Sequence, residues 1–199
     1  VLRRTAFNSI VDIQILKLTQ THIQQAINEY SKTRAYKTVI NASAFLAIVL
    51  KEYRPEFHYK LNLPQKSKAI VNIPTAKEVA LLTKRSKNTA VYLPILFATQ
   101  LGLRRGEICA LTWDDIDLER RTVKIDESLA ENEFGILVRK KPKTLQSERT
   151  LPLTQDIIDA LPATCEKIIT IAPKTITKHF AIIAKQLGLK CTFHSLRHY

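Results

Sequence analysis

Three clusters of basic residues in this sequence could act on a phosphate group. The first is GLRRGE at 102–107, which places Arg104, Arg105 and Glu107 between an apolar segment and a short helical one. An arginine at a helix entrance offers a planar fork of donors to a phosphate, and nearby backbone N–H groups add to the attraction. Arg104 and Glu107 are also three residues apart, the spacing of an ordinary ion pair on one helix face. The cluster by itself is consistent with both interpretations.

The second cluster is the lysine-rich segment RKKPKT at 139–144, which is followed by SERTLPL at 147–153. A lysine at a hairpin tip can reach into a DNA groove and donate a proton to a leaving alkoxide, if its pKa is held near the working pH. Lysines that protect the edge of a sheet give the same composition. Taken alone, the segment favours the edge-protecting role.

The third cluster is FHSLRHY at 193–199. His194 and Arg197 are three residues apart, so on a helix they share a face and could both touch one phosphate. His194 and His198 are four apart, as in a zinc-binding HExxH helix, but Ser195 replaces the glutamate and the sequence offers no third ligand. We therefore expect no metal at this cluster.

The charge balance indicates which partner these clusters would meet. The 199 residues include 31 Lys and Arg against 18 Asp and Glu, a formal net charge of +13. A field of that sign concentrates polyanions, so nucleic acid is the first expected partner and an anionic membrane surface the second. No apolar run reaches the roughly 18 to 20 residues that cross a bilayer, so we expect no membrane span and a cytoplasmic location. The four glycines form neither GxGxxG nor GxxxxGK, so no cofactor is expected.

Helical spacing of apolar residues predicts the elements that must position these clusters. In residues 1–60 it predicts a helical domain with two helices, the first capped by Thr21 with Gln24 and the second over 38–53. The residues expected on the common apolar face of the second helix are Ala42, Phe45, Leu46, Val49, Leu50 and Tyr53. This domain is basic, which suits a DNA-binding role.

A second domain is predicted over 75–199, after a linker at 61–74 where the apolar period is lost. Thr75 with Glu78 predicts its first helix, and Gly102 can end a later, more apolar one. The other predicted elements are short strands at 121–126, 136–140 and 148–153, forming a small antiparallel meander, and helices beginning after Thr154 and at Pro173.

The order and spacing of the motifs resemble one family. GLRRGE with LTWDDID, then PKT followed by SERTLPL, then HSLRH are together similar to the tyrosine recombinases of the phage integrase family. The resemblance implies a fold that is mainly α with a small antiparallel three-stranded sheet. It also implies a helical core-binding domain over 1–60 and a mixed α/β catalytic domain over 75–199, each incomplete at its outer end.

The resemblance also implies roles for particular residues. Arg104, three before the glutamate, matches the first catalytic arginine, and Lys143 of PKT matches the hairpin lysine. His194 and Arg197 match the first and last residues of the HxxR box. The family's nucleophilic tyrosine and a further His or Trp lie a few dozen residues beyond that box, so Tyr199 is not expected to be the nucleophile. The fragment is therefore expected to be inactive by itself.

The function implied is that of a site-specific recombinase or integrase of a mobile genetic element. It would cut and rejoin double-stranded DNA attachment sites through a 3′-phosphotyrosine intermediate, as a tetramer on DNA when full length. Accessory DNA-bending or directionality factors are further possible partners. Two alternatives stay open: a non-catalytic DNA-binding protein of the same fold, and a type IB topoisomerase, which shares the catalytic chemistry.

Overall fold

The computed structural model describes residues 6–65, 71–141, 148–163 and 167–199. The chain divides into two units, Val1–Ala69 and Ile70–Tyr199, each with its own cluster of buried apolar side chains. The fold is mainly α with small antiparallel sheets, as predicted. None of the helices in the described ranges has both the length and the apolar character that crossing a bilayer requires.

Two α-helices are described in the first unit. They are α1 (Gln20–Ser31) and α2 (Tyr36–Tyr53), preceded by 3₁₀ turns at Asn8–Ile10 and Ile15–Lys17. Their shared core contains Phe7, Ile10, Leu18, Ile23, Ala26, Ile27, Val39 and Leu50. The apolar face predicted for α2 is partly wrong, because Phe45 is 52% exposed and Tyr53 66% exposed.

The start of α1 also differs from the prediction. Thr19 caps the helix, accepting a hydrogen bond from the backbone N–H of His22 at 3.3 Å. The predicted cap at Thr21 with Gln24 is wrong, because the Gln24 side chain pairs instead with the backbone of Asn62. It donates to the Asn62 carbonyl at 2.9 Å and accepts from its N–H at 2.8 Å.

Five helices and five strands are described in the second unit. The helices are α3 (Ala76–Ser86), α4 (Tyr92–Gln100), α5 (Arg105–Ala110), α6 (Gln155–Ala160) and α7 (Pro173–Gln186). The strands are β1 (Ile116–Asp117), β2 (Thr122–Ile125), β3 (Ser128–Glu131), β4 (Leu137–Lys140) and β5 (Arg149–Pro152). Helix α4 lies in the core, with residues 93–98 all buried. The described chain ends in a 3₁₀ helix, Phe193–His198, which packs against α4.

Local capping signals predicted the helix starts of this unit well. Thr75 accepts from the backbone N–H of Glu78, whose carboxylate accepts from Thr75, so the predicted capping box is confirmed. Thr154 caps α6, and Pro173 is the first residue of α7, both as predicted. Gly102 follows the end of α4 with a φ of +63°.

The strand pairing differs from the predicted meander. The three-stranded sheet has the order β1–β2–β5, with both pairs antiparallel, and β4 pairs with β3 in a separate two-stranded sheet. A tight turn makes this second pairing local: the Asn132 side chain accepts from the N–H groups of Phe134 and Ile136, and Gly135 has a φ of +77°. The strand at 137–140 therefore returns along β3, and β5 takes the place beside β2.

Candidate functional site

Arg104 lies where α4 ends and α5 begins. Gly102 takes up the left-handed backbone that ends α4, and Leu103 then points into the core with 1% of its surface exposed. A Cβ added at Gly102 would lie 3.9 Å from both the Cγ and the carbonyl oxygen of Arg197. The turn before Arg104 therefore runs directly beside Arg197, although the two arginines are far apart in the sequence.

Glu107 connects Arg104 to this junction. Its Oε2 accepts from the Arg104 backbone N–H at 2.8 Å, and its Oε1 accepts from Nη1 of Arg104 at 2.8 Å. The ordinary ion pair considered from the sequence is thus present. Only 7% of the Glu107 side chain is exposed, against 53% for Arg104, so the guanidinium of Arg104 still faces solvent and can meet another ligand.

Arg149, the first residue of β5, binds the same Glu107 carboxylate. Its Nη2 donates to Oε2 of Glu107 at 2.8 Å and its Nη1 to Oε1 at 3.4 Å. Burial by itself would raise the pKa of Glu107, but hydrogen bonds from Arg149 and Arg104 outweigh burial and hold the pKa below its ordinary value of 4.5. Glu107 is therefore a carboxylate at neutral pH.

Arg197 completes the cluster. Its Nη1 lies 4.0 Å from Oε2 of Glu107, and this nitrogen is buried without a hydrogen-bond partner among the described residues. Burial, and next the positive charge of Arg104, lower the pKa of Arg197, while Glu107 opposes them. A buried guanidinium donor without an acceptor is costly and has strong affinity for an anion. The arginine cluster, defined as Arg104, Glu107, Arg149 and Arg197, thus has a net positive charge and, within the part of the chain that the structure describes, a donor without an acceptor.

His194 stands one turn before Arg197 in the final 3₁₀ helix. Residues three apart lie on the same face of a 3₁₀ helix, so the exposed His194 lies on the same face as Arg197. Its ring meets that of His198 edge to face, with centroids 5.4 Å apart. No group of three or more potential metal ligands occurs among the described residues.

Lys143, the fourth predicted site residue, lies outside the described residues. Its role therefore stays a prediction. The described chain stops before it at residue 141 and resumes at residue 148, one residue before Arg149.

Two members of the cluster, Glu107 and Arg149, were not predicted as site residues. Burial alternates along β5, and its inward positions are Arg149 and Leu151. A charged residue at the inward position of a short strand is the signal that could have identified Arg149. Its partner, however, lies on α5 and becomes its neighbour only through the tertiary fold.

Gly106 fixes the position of α5. A Cβ at this residue would lie 2.8 Å from the backbone carbonyl oxygen of Leu129 in β3 and would also meet the Ser128 side chain. Real Cβ atoms essentially never come this close to backbone, so only glycine lets α5 approach β3 here. The hairpin β3–β4 therefore supports the helix that carries Glu107.

The sequence model of the phage integrase family matches residues 68–199. Among curated proteins, the prophage integrase IntR of Escherichia coli K12 is 41% identical over 66 residues, which cover 33% of this chain and 15% of IntR. This chain spans between 15% and 43% of the length of the curated relatives compared with it.

Solved structures show the same fold at low sequence identity. An integrase of the transposon Tn1549, solved in complex with a circular intermediate DNA, superposes with a TM-score of 0.71 at 16% identity, covering 92% of this chain and 71% of that one. A lambda integrase tetramer bound to a Holliday junction gives a TM-score of 0.66 at 19% identity, covering 92% and 58%.

Proposed function

Because this chain belongs to the phage integrase family, we propose that it is part of a site-specific DNA recombinase that cuts and rejoins DNA through a 3′-phosphotyrosine intermediate. One observation in the structure supports the proposed chemistry. Arg104 and Arg197 meet at a single buried carboxylate, and Nη1 of Arg197 has no hydrogen-bond partner among the described residues. A DNA phosphate is the anion that family membership suggests for this donor.

The proposed chemistry follows from where charge develops. A tyrosine from outside these 199 residues attacks the scissile phosphate, and negative charge grows on the non-bridging oxygens. The forks of Arg104 and Arg197 stabilise that charge. His194 assists proton removal or hydrogen-bonds the phosphate, and Lys143 protonates the leaving 5′-oxygen. The phosphotyrosine link conserves the bond energy, so the reaction needs neither a nucleotide nor a metal.

The proposed partners are double-stranded DNA attachment sites. The formal net charge of +13 supports an affinity for DNA. The lambda integrase, which shares the fold, was solved as a tetramer on a Holliday junction, and this supports a tetramer of the whole protein on DNA. Accessory DNA-bending or directionality factors and a cytoplasmic site of action belong to the same proposal.

A suicide-substrate experiment tests the proposed function. The gene is expressed to the stop codon of its own reading frame and incubated with nicked duplexes bearing candidate attachment sites. We expect a covalent protein–DNA adduct, and we expect Arg104→Ala or Arg197→Ala to reduce its rate at least about a hundredfold, as loss of a preorganised donor does elsewhere.

The matched control is Arg120→Ala. Arg120 also forms an ion pair three residues away, with Asp117 at 3.7 Å, but 85% of its side chain is exposed, so the adduct should form normally. DNA binding without an adduct would favour a non-catalytic DNA-binding protein, and relaxation of plasmids that lack an attachment site would favour a type IB topoisomerase. An adduct unaffected by both arginine variants would refute the assigned site.

A further inference from the structure

Arg149 belongs to the arginine cluster but has no role in the chemistry proposed above. Its guanidinium contacts both oxygens of Glu107, at 2.8 and 3.4 Å, and joins the start of β5 to α5. The side chains are 25% and 7% exposed, so solvent screens this ion pair less than it would a surface pair. The contact with Arg149 is therefore strong enough to determine whether the Glu107 carboxylate can bind a further cation.

Glu107 is a competitor for the guanidinium of Arg197. Oε2 stands 4.0 Å from Nη1 of Arg197, which is near enough for attraction but too far for a hydrogen bond. Carboxylates and phosphates bind the same donor fork of arginine, so a carboxylate that took up Arg197 would keep it from a phosphate. Arg104 already donates to Glu107, which leaves Arg197 as the nearby cation that would replace Arg149.

We propose that Arg149 is a positioning residue: it occupies the carboxylate of Glu107 and so keeps the guanidinium of Arg197 directed towards the phosphate. The inference rests on the proposed function, since that function supplies the phosphate. Arg149 acts through Glu107, and its own contact with the phosphate is not required. It also offsets the carboxylate charge, which would otherwise weaken the attraction of the cluster for any anion.

The experiment uses the 199-residue chain and inorganic phosphate. Arginine Nε–Hε resonances are followed by NMR while phosphate is added, so no nucleophile or DNA site is needed. In the wild type, the Arg104 and Arg197 resonances should shift and saturate together. In Arg149→Gln, the Arg197 resonance should already be displaced without phosphate, and phosphate affinity should fall about tenfold, the effect of losing one partly screened charge-assisted contact.

The double variant Glu107→Gln/Arg149→Gln separates positioning from a structural role. Removing the carboxylate removes the competitor, so the Arg197 resonance should return towards its wild-type position and phosphate affinity should recover to within about twofold. If Arg149 merely held β5 against α5, the double variant would bind phosphate no better than Arg149→Gln. The matched control is Arg120→Gln, because Arg120 pairs with Asp117 at 3.7 Å outside the arginine cluster, and phosphate affinity should not change.

Either of two results would overturn the inference: an Arg197 resonance that is the same in the wild type and Arg149→Gln, or a double variant without recovery. Absence of saturable phosphate binding by the wild-type chain would overturn it as well. The covalent adduct with DNA is measured in a separate experiment. If the wild type forms the adduct but Arg149→Gln binds phosphate as tightly as the wild type does, this inference is refuted and the proposed function stands.

Discussion

Glu107 places a negative charge in a nearly buried position, where hydrogen bonds from Arg104 and Arg149 keep it ionised. These bonds lower its pKa in the folded state, so they contribute stability above the ordinary glutamate pKa of 4.5 that is lost as pH falls through the folded value. At neutral pH, Glu107→Gln should lower the free energy of unfolding by about 1–3 kcal/mol.

Urea denaturation at a series of pH values measures this effect. The difference between wild type and Glu107→Gln should be largest near neutral pH. It should shrink as the pH falls below about 4.5, the ordinary glutamate pKa, towards the lowered pKa of Glu107 in the folded state. Glu119→Gln is the matched control, because Glu119 is exposed and its loss should leave both stability and pH profile nearly unchanged. A stability difference independent of pH would show that the charge of Glu107 is not what matters.

Two members of the arginine cluster, Arg104 in GLRRGE and Arg197 in the HxxR box, were proposed as site residues from family resemblance, because the motifs that contain them are local. Their catalytic roles stay predictions. That the two meet at Glu107, and that Arg149 holds the same carboxylate, depends on contacts between α5, β5 and the last 3₁₀ helix. Such contacts are set by the packing of distant segments, which the spacing of residues along the chain does not encode.

At the scale of elements, the arginine cluster depends on how closely α5 lies to β3. A Cβ at Gly106 would lie 2.8 Å from the Leu129 carbonyl oxygen, which is backbone and cannot swing away. Gly106→Ala should therefore push α5 from the hairpin and cost about 1–3 kcal/mol, as overpacking does elsewhere. Because α5 carries Glu107, phosphate binding should weaken as well.

Gly188→Ala is the control for this substitution. Gly188 follows the end of α7, with a φ of +68°, and a Cβ there would meet nothing within 4 Å. The alanine should cost about 1–2 kcal/mol through backbone strain and leave phosphate affinity unchanged. Thermal unfolding and the phosphate titration, applied to both variants, separate the two effects; equal phosphate affinity in both would mean that the α5–β3 contact does not position the cluster.

The elements themselves were predictable to different degrees. The start of α3 was predicted correctly, because its cap Thr75 and the paired Glu78 lie within one turn. The cap at Thr21 failed because Gln24 found a partner 38 residues away, at Asn62. Of the five described strands, β2, β4 and β5 were predicted, whereas β1 and β3 were missed. The predicted pairing was wrong, since β2 joins β5 across the intervening hairpin. Local chemistry thus fixes where elements begin, and packing decides what they pair with.

At the scale of the whole molecule, excess positive charge is spread over both units. Residues 1–69 contain eleven Lys and Arg against four acids, and residues 70–199 contain twenty against fourteen. Each Lys or Arg that neutralises a DNA phosphate releases a condensed counterion, so affinity falls as salt rises. A protein that used only the arginine cluster would release few counterions, whereas one that uses both units would release many.

The salt dependence of DNA binding therefore tests whether both units contact DNA. Fluorescence anisotropy with a labelled duplex between 50 and 200 mM NaCl should give a slope of log K against log salt of about −5 to −9, as expected for about six to ten phosphate contacts. Arg197→Gln should make that slope shallower by no more than about 0.9, since it removes one contact among many. Phosphatidylserine-rich vesicles provide the control for binding driven by charge alone. A slope no steeper than about −2, or binding to vesicles as tight as binding to DNA, would contradict the proposed DNA-binding role of the two units together.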